Sequence, residues 1–434
     1  MIRNKNRVTR RKGGGRRSGG IGFNNRLTEL SARLDSARNA RVTRKPVFNR
    51  SLEVVAYEVV LGDGPVSHIS VGEGGRRLVV NEVTELDLDA IGGGKTVQLP
   101  VASSIIESGL PSDLAPEQVM LLLGSGVDAS VATITALENT RRLGYRIVLD
   151  DLTTYSRLHP LLRLAHGVKI NTGIAPGPTV AKQIAILKTS GVELMADGIG
   201  TYDDLRNATR QGFTQFQGSF LSRPDGFRKT RAPAGQLAGL ELITLLQNPD
   251  AEISEIATVI RRDVNLSYRI LRVVNSAHYS LPRPLGSIEE AVMLVGVKQI
   301  VSWVGMLSMS GLNDKPSELT RCAMVRARVC EILAEYLDRS DVPGFYLVGL
   351  FSVIEALLDV PAARALGSLP LNADIADAIV SGGGIMGEVL RGVLAYERGD
   401  WGHAHIIGLD DSAITYAFYL AIIEVDEVWT RIAG

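Results

Sequence analysis

The chain has 434 residues, 45% of them apolar, with 47 basic and 47 acidic side chains. That apolar content is enough for two or more packed domains and excludes a mainly disordered chain. The two cysteines, Cys322 and Cys330, are too far apart for a CxxC clip and have no histidines nearby, so they read as reduced core thiols rather than a zinc site.

In chain order, the first feature is a basic arm. Residues 1–26 hold Arg3, Lys5, Arg7, Arg10, Arg11, Lys12, Arg16, Arg17 and Arg26 and no acid. Subtracting those nine from 47 leaves 38 basic against 47 acidic residues, so a neutral total conceals a body of about minus nine. A Gly- and Arg-rich stretch cannot bury enough apolar area to fold alone, and residues 1–40 are expected to be a disordered arm. Its charges suit weak contacts with nucleic acid or an anionic membrane. With no aromatic residue interleaving the basic run, a solvated tail is the plainer alternative. No apolar run follows the initial charges, which argues against a secretory signal. The longest apolar stretches, 413–425 and 346–358, fall short of the roughly 18 to 20 residues a spanning helix needs, so a cytoplasmic chain without a transmembrane segment is expected.

Residues 41–230 alternate short apolar runs with helix-length segments. The strand candidates are 46–49, 54–61, 96–101, 119–124, 146–151, 167–171, 192–199 and 215–220. Eight runs, rich in Val, Ile and Leu without strict alternation, predict a TIM-like (β/α) barrel of parallel strands buried on both faces. Glu58, Asp150, Asp151, Lys169, Asp197 and Gln217 fall where these runs end, and in such a barrel the strand ends share one mouth. The basic, Pro- and Gly-containing stretch 228–235 predicts a linker. Residues 235–434 show helical spacing throughout, as in 237–247, 253–262, 266–277 and 318–337, and predict an all-α bundle. Asp263 or Asn265 is a candidate cap, Ser287 with Glu290 a candidate capping box, and Pro282 and Pro284 candidate breakers.

At those residues the barrel half resembles the EAL domain of bacterial cyclic di-GMP phosphodiesterases: YEVVL at 57–61, LDD at 149–151, VKIN at 168–171, MADGI at 195–199 and FQGSFLSRP at 216–224. The resemblance assigns the signature glutamate to Glu58, the paired aspartates to Asp150 and Asp151, the lysine to Lys169 and the QG pair to Gln217 and Gly218. It also marks departures. Pro100 stands near the place of an asparagine ligand and Leu122 near that of a glutamate ligand. DDLTTY replaces DDFGTG, Asn171 replaces an aspartate, Gly200 replaces the last glutamate of EGVE, Gly62 replaces a phosphate-contacting arginine, and Lys45-Pro46 replaces Gln-Pro. Mg²⁺ and Mn²⁺ need oxygen ligands, and a two-metal site needs several carboxylates, so the metal site is expected to be lost. Glu58, Asp150, Asp151, Lys169, Asp197 and Gln217 are then vestigial, and Glu58 is expected to pair with Lys169 as buried charges.

Residues 248–300, including VNSA at 274–277, resemble the HDOD domain, a non-catalytic relative of metal-dependent HD phosphohydrolases. Ser352 and Val353 stand where a true HD enzyme carries His and Asp. His278, His403 and His405 have no partner at HxxxH or HD spacing. Asn275, Tyr279, Trp303 and Trp401 are candidates for a partner surface, with Trp303 alternatively a core residue. The order of the two halves resembles bacterial EAL-HDOD signalling proteins. That resemblance implies a non-catalytic signal-transduction scaffold acting through protein partners, without a cofactor. The alternatives are a cyclic di-GMP receptor using Glu58, Asp150, Lys169 and Gln217, and residual phosphodiesterase activity.

Overall fold

The computed structural model describes residues 41–433 apart from 63, 67, 72–76, 81–83, 112–113, 125–126, 151–159, 173–177, 227–239, 241, 245–251, 262–263, 276–284, 311–314 and 370. The basic arm, the 228–235 linker, Asp151, Asp263, His278, Tyr279, Pro282 and Pro284 therefore lie outside the described residues. Residues 39–434 form one compact unit.

Eight strands close the barrel: β1 (Val42–Phe48), β2 (Val54–Leu61), β6 (Thr96–Val101), β7 (Val119–Leu123), β8 (Arg146–Asp150), β9 (Gly167–Asn171), β10 (Glu193–Asp197) and β11 (Gln215–Phe216). All five residues of β7, VMLLL, are buried, as expected of a strand covered on both faces. Helix α1 (Leu88–Gly92) precedes β6, and α2 (Ser103–Ser108), α3 (Val131–Arg142), α4 (Pro178–Thr189) and α5 (Tyr202–Gln211) follow β6, β7, β9 and β10.

Three details differ from the sequence expectation. β1 runs antiparallel to both β2 and β11, because the connection from Asn49 to Glu53 is far too short for a crossover, which takes a dozen or more residues. The turn is tied by Asn49 Oδ1, which accepts from the backbone N–H groups of Ser51 and Glu53. The last strand is two residues long and gives way to a 3₁₀ turn, Ser219–Ser222. A small antiparallel sheet, β3 (Ile69–Val71), β4 (Arg77–Val80) and β5 (Thr84–Asp87), is inserted after β2.

The second half is helical: α6 (Ile253–Arg261), α7 (Val264–Val274), α8 (Ile288–Val295), α9 (Val297–Ser310), α10 (Ser317–Tyr336), α11 (Val342–Phe351), α12 (Ile354–Leu358), α13 (Ala362–Leu366), α14 (Ala373–Val380), α15 (Gly384–Glu397) and α16 (Asp411–Ala433). Ser287 caps α8 by accepting from the Glu290 backbone N–H, whereas Asn265 lies inside α7. α10 is the central helix, packed on α11, α15 and α16. A Cβ at Gly349 of α11 would meet the Arg326 carbonyl oxygen at 2.4 Å, so glycine permits the close approach of α11 to α10. Trp303 is fully buried and belongs to the core. Residues 373–397 are long and apolar enough to cross a membrane by length and composition. Here they are α14 and α15, both packed against α11.

The hairpin of β1 and β2 has no crossover helix of its own, and its outer face is covered by α1, α15 and α16. Arg44 on β1 sends its guanidinium across this junction to Asp426 of α16 at 2.8 Å and donates to the Ile91 carbonyl at 2.6 Å. It also lies over the Tyr57 ring, 4.0 Å from the centroid. The Tyr57 hydroxyl donates to Glu318 of α10 at 3.0 Å, and Arg321 bridges Glu318 and Asp426 at 3.3 and 2.7 Å. Nearby, Arg326 is held by Glu397 at 2.6 Å and reaches the hydroxyls of Ser222 and Ser352.

Removing one partner from a buried ion pair leaves an uncompensated charge, at a cost of about 3–5 kcal/mol. Asp426→Ala strands Arg44 and leaves Arg321 with Glu318 alone, so chemical denaturation should show a loss of that size, larger than for a change at an exposed acid such as Asp203. Burial pushes the Glu318 carboxyl up to about 7, with Arg321 and Arg44 offsetting only part of the rise. The fold thus favours protonated Glu318, and this contribution is complete below the ordinary value of 4.5 and lost as pH rises to about 7. Unfolding measured across pH should show wild-type stability falling over that window relative to Glu318→Gln, and running parallel to it above.

Candidate functional site at the barrel mouth

Alternation along β2 turns Tyr57 outward to α10 and Glu58 inward. Glu58 meets Lys169 from β9, with the Lys169 Nζ 2.8 Å from Glu58 Oε2. The same ammonium lies 3.4 Å from Asp150 Oδ2 at the end of β8 and 3.7 Å from Asp197 Oδ2 at the end of β10. The Lys169 side chain is only 4% exposed. The expected pairing of Glu58 with Lys169 is therefore present, and two further carboxylates share the cation.

Burial by itself would lower the Lys169 ammonium, but Glu58 first, then Asp150 and Asp197, outweigh it and hold it well above the ordinary lysine value. Asp150 is moved above the usual carboxylate range, mostly by burial. Lys169 opposes that shift, while Glu58 and Asp197 add to it. One cation thus serves three acids in a partly dehydrated setting.

Gln217 follows β11. Its backbone N–H donates to the Ala196 carbonyl, its carbonyl accepts from Ile199, and its side-chain Nε2 is buried without a partner. Gly218 has φ +151°, and a Cβ there would meet the Ile199 backbone oxygen at 2.2 Å. Only glycine lets the Gln217 segment lie this close to the end of β10. Gln98 was not singled out from the sequence. It pairs in register with Glu58, is fully buried, and has an Oε1 without a partner. Its one sequence signal is a polar residue inside the apolar run TVQLPV.

The positions read as lost ligands carry no donor side chain. Pro100 pairs in register with Leu122, and Leu122 packs with Met120 and Val148. Gly62 lies against Arg41, whose Cβ is 2.7 Å from where a Gly62 Cβ would stand, so a longer residue there requires Arg41 to move. Ser352 accepts from Arg326 and donates to the Gly349 carbonyl, and Val353 is buried. His403 pairs with Asp400 on the surface. Among the described residues no group of three His, Cys, Asp or Glu side chains is placed to hold a metal ion. The point on which Glu58, Asp150 and Asp197 converge holds the Lys169 ammonium.

Comparisons with known proteins follow this geometry. Residues 237–359 match the HDOD domain family. The match covers α6 to α12, leaving α13 to α16 beyond it. The chain is similar to the uncharacterized protein YuxH of Bacillus subtilis, with 27% identity over 88% of this chain and 97% of that one. It is also similar to the cyclic di-GMP phosphodiesterase CdgJ of Vibrio cholerae, with 23% identity over 85% and 87%. A solved EAL domain protein from Listeria monocytogenes aligns with 45% of this chain and 92% of its own, at 14% identity and a TM-score of 0.33. The chain is a closed (β/α) barrel followed by a helical half, of which the first part matches the HDOD domain family.

Replacing Lys169 by Met leaves Glu58, Asp150 and Asp197 facing one another. The expected loss at pH 7 is about 3–5 kcal/mol, read by denaturant melting. Part of it should return as pH is lowered, because Asp150 is already moved toward its protonated form, and part on adding Asp150→Asn. A full-stability Lys169→Met protein would show that the carboxylates do not need this cation.

Proposed function

We propose that this chain is a non-catalytic signal-transduction protein of the cyclic di-GMP-related EAL-HDOD class, in which the barrel is a rigid platform and the helical half engages protein partners. One observation carries the reading: Pro100 and Leu122, paired in register on neighbouring strands at the positions read as lost ligands, bring no side-chain oxygen to the mouth. Two metals activating a water need several carboxylates to offset about four positive charges. Here Glu58, Asp150 and Asp197 remain around Lys169, and Pro100 and Leu122 add no oxygen to them. The basic residues 1–26 add an electrostatic contact with nucleic acid or an anionic membrane, which must weaken with salt.

A second reading, a cyclic di-GMP receptor, draws on Gln217, whose buried Nε2 lacks an acceptor and stands at the QG position of the EAL resemblance. Phosphodiesterase activity, the function in the name of CdgJ, is the third.

Calorimetric titration of the full chain with cyclic di-GMP and Mg²⁺ separates the three. The platform reading expects a flat trace. Saturable heat without product would favour the receptor, and sustained heat with linear product formation would sink the inference from Lys169, Pro100 and Leu122.

A further inference from the structure

The end of the barrel opposite the Lys169 cluster holds a cavity of about 360 Å³, within the range of about 300 to 1,000 Å³ that small-molecule sites occupy. It is lined by the first residues of four neighbouring strands, Arg146 of β8, Gly167 of β9, Glu193 of β10 and Gln215 of β11. His166, just before β9, and Arg141, in the last turn of α3, line it as well. Met120, Val148 and Met195 add an apolar lining from the barrel interior. Function in such barrels gathers at the carboxyl ends of the strands, so a polar cavity at the amino ends needs an account of its own.

Its polar groups are only partly used. Arg141 donates to the Arg163 carbonyl and Arg146 to the Thr96 hydroxyl, and neither has a carboxylate at ion-pair distance among the described residues. His166 Nδ1 accepts from the Ile147 backbone N–H, so the neutral ring carries its proton on Nε2. Burial first, then the charges of Arg141 and Arg146, lower the His166 pKa and keep the ring neutral, with Glu193 opposing them. Gln215 Nε2 donates to Glu193 Oε2 at 2.9 Å, which fixes the amide, and Gln215 Oε1 is shielded from water without a donor. A shielded acceptor left unsatisfied costs free energy that a ligand donor would restore.

The cavity thus offers two guanidinium groups and an imidazole N–H as donors, and a carboxylate and an amide oxygen as acceptors. Two positive charges and one negative are the complement of a molecule with two carboxylates and one ammonium. Guanidinium groups match carboxylates in geometry, and an ammonium has three donors, enough for both Glu193 and Gln215 Oε1. We propose that this cavity binds a free dicarboxylic α-amino acid, its carboxylates met by Arg141, Arg146 and His166 and its ammonium by Glu193 and Gln215. Occupancy would tie together the amino ends of β8 to β11, the strands that lead to Asp150, Lys169, Asp197 and Gln217. The proposal does not depend on what the barrel mouth does.

The test is calorimetric titration of the full chain with L-aspartate and L-glutamate. The controls are L-asparagine and L-glutamine, which lack one carboxylate, and succinate and glutarate, which lack the ammonium. The expected result is saturable binding of at least one acidic amino acid, with its amide and its des-amino diacid at least ten-fold weaker. Arg146→Ala should weaken that binding ten-fold or more, as loss of hydrogen bonds between charged groups implies. Glu193→Gln should abolish the preference over the des-amino diacid. Arg146 and Glu193 are both exposed, so the unliganded melting temperature should change little, and Arg141→Ala provides an independent variant on α3. No saturable binding of either amino acid, equal binding of the amide or the diacid, or affinity unchanged in the arginine variants would each overturn the proposal.

Discussion

The organisation of this chain depends on one uncovered surface. A barrel whose first two strands form a hairpin has no crossover helix over that hairpin, and its outer face must be buried by something else. Here α1, α15 and α16 cover it, and the junction is ionic as well as apolar. Arg44 is 7% exposed, and a cation that dry persists only with partners in close geometry. Asp426, the Ile91 carbonyl and the Tyr57 ring supply them. The helical half is thus part of how the barrel is closed to water, which accounts for residues 39–434 forming one compact unit.

The same rule governs the barrel interior. Glu58, Asp150 and Asp197 cannot stay ionised together in a partly buried mouth without a cation. Lys169 takes that place, and its three neighbours keep it charged against its own burial. A lysine supplies one charge on a flexible stem and no open coordination position. It therefore holds the three carboxylates together by charge. The strands themselves are held by their apolar runs, Met120, Leu122 and Val148 among them, and not by the polar residues at their ends.

The barrel was legible because its strands are continuous apolar runs, and continuous runs survive changes in the site. The convergence of Glu58, Asp150, Lys169 and Asp197 was legible because strand ends in such a barrel share one mouth. What escaped the sequence was of a different kind. β1 was read too short because Thr43, Arg44 and Lys45 look like loop residues, and the partner that lets Arg44 sit in a buried strand, Asp426, is 382 residues away. Its direction was missed because eight evenly read runs suggest eight alike units, although the four residues between Asn49 and Val54 leave room only for a hairpin turn. Gln98 was passed over because one polar residue in an apolar strand has no local signature. Its register with Glu58 gives it meaning.

β1 and β2 join the two polar centres, since neighbouring residues face opposite ways. On β2, Tyr57 reaches Glu318 outside the barrel while Glu58 reaches Lys169 within it. On β1, Arg44 faces Asp426, while Lys45 shares a face with Val47, which packs inside against Ala56 and Met195. A shift of either strand along its length therefore moves a residue of the helical junction and a residue of the mouth together. Close packing makes such a shift an all-or-none event rather than a gradual one. In a chain with no metal-binding set at its mouth among the described residues, this shared hairpin remains a physical route by which an event at the barrel mouth can reach the helices.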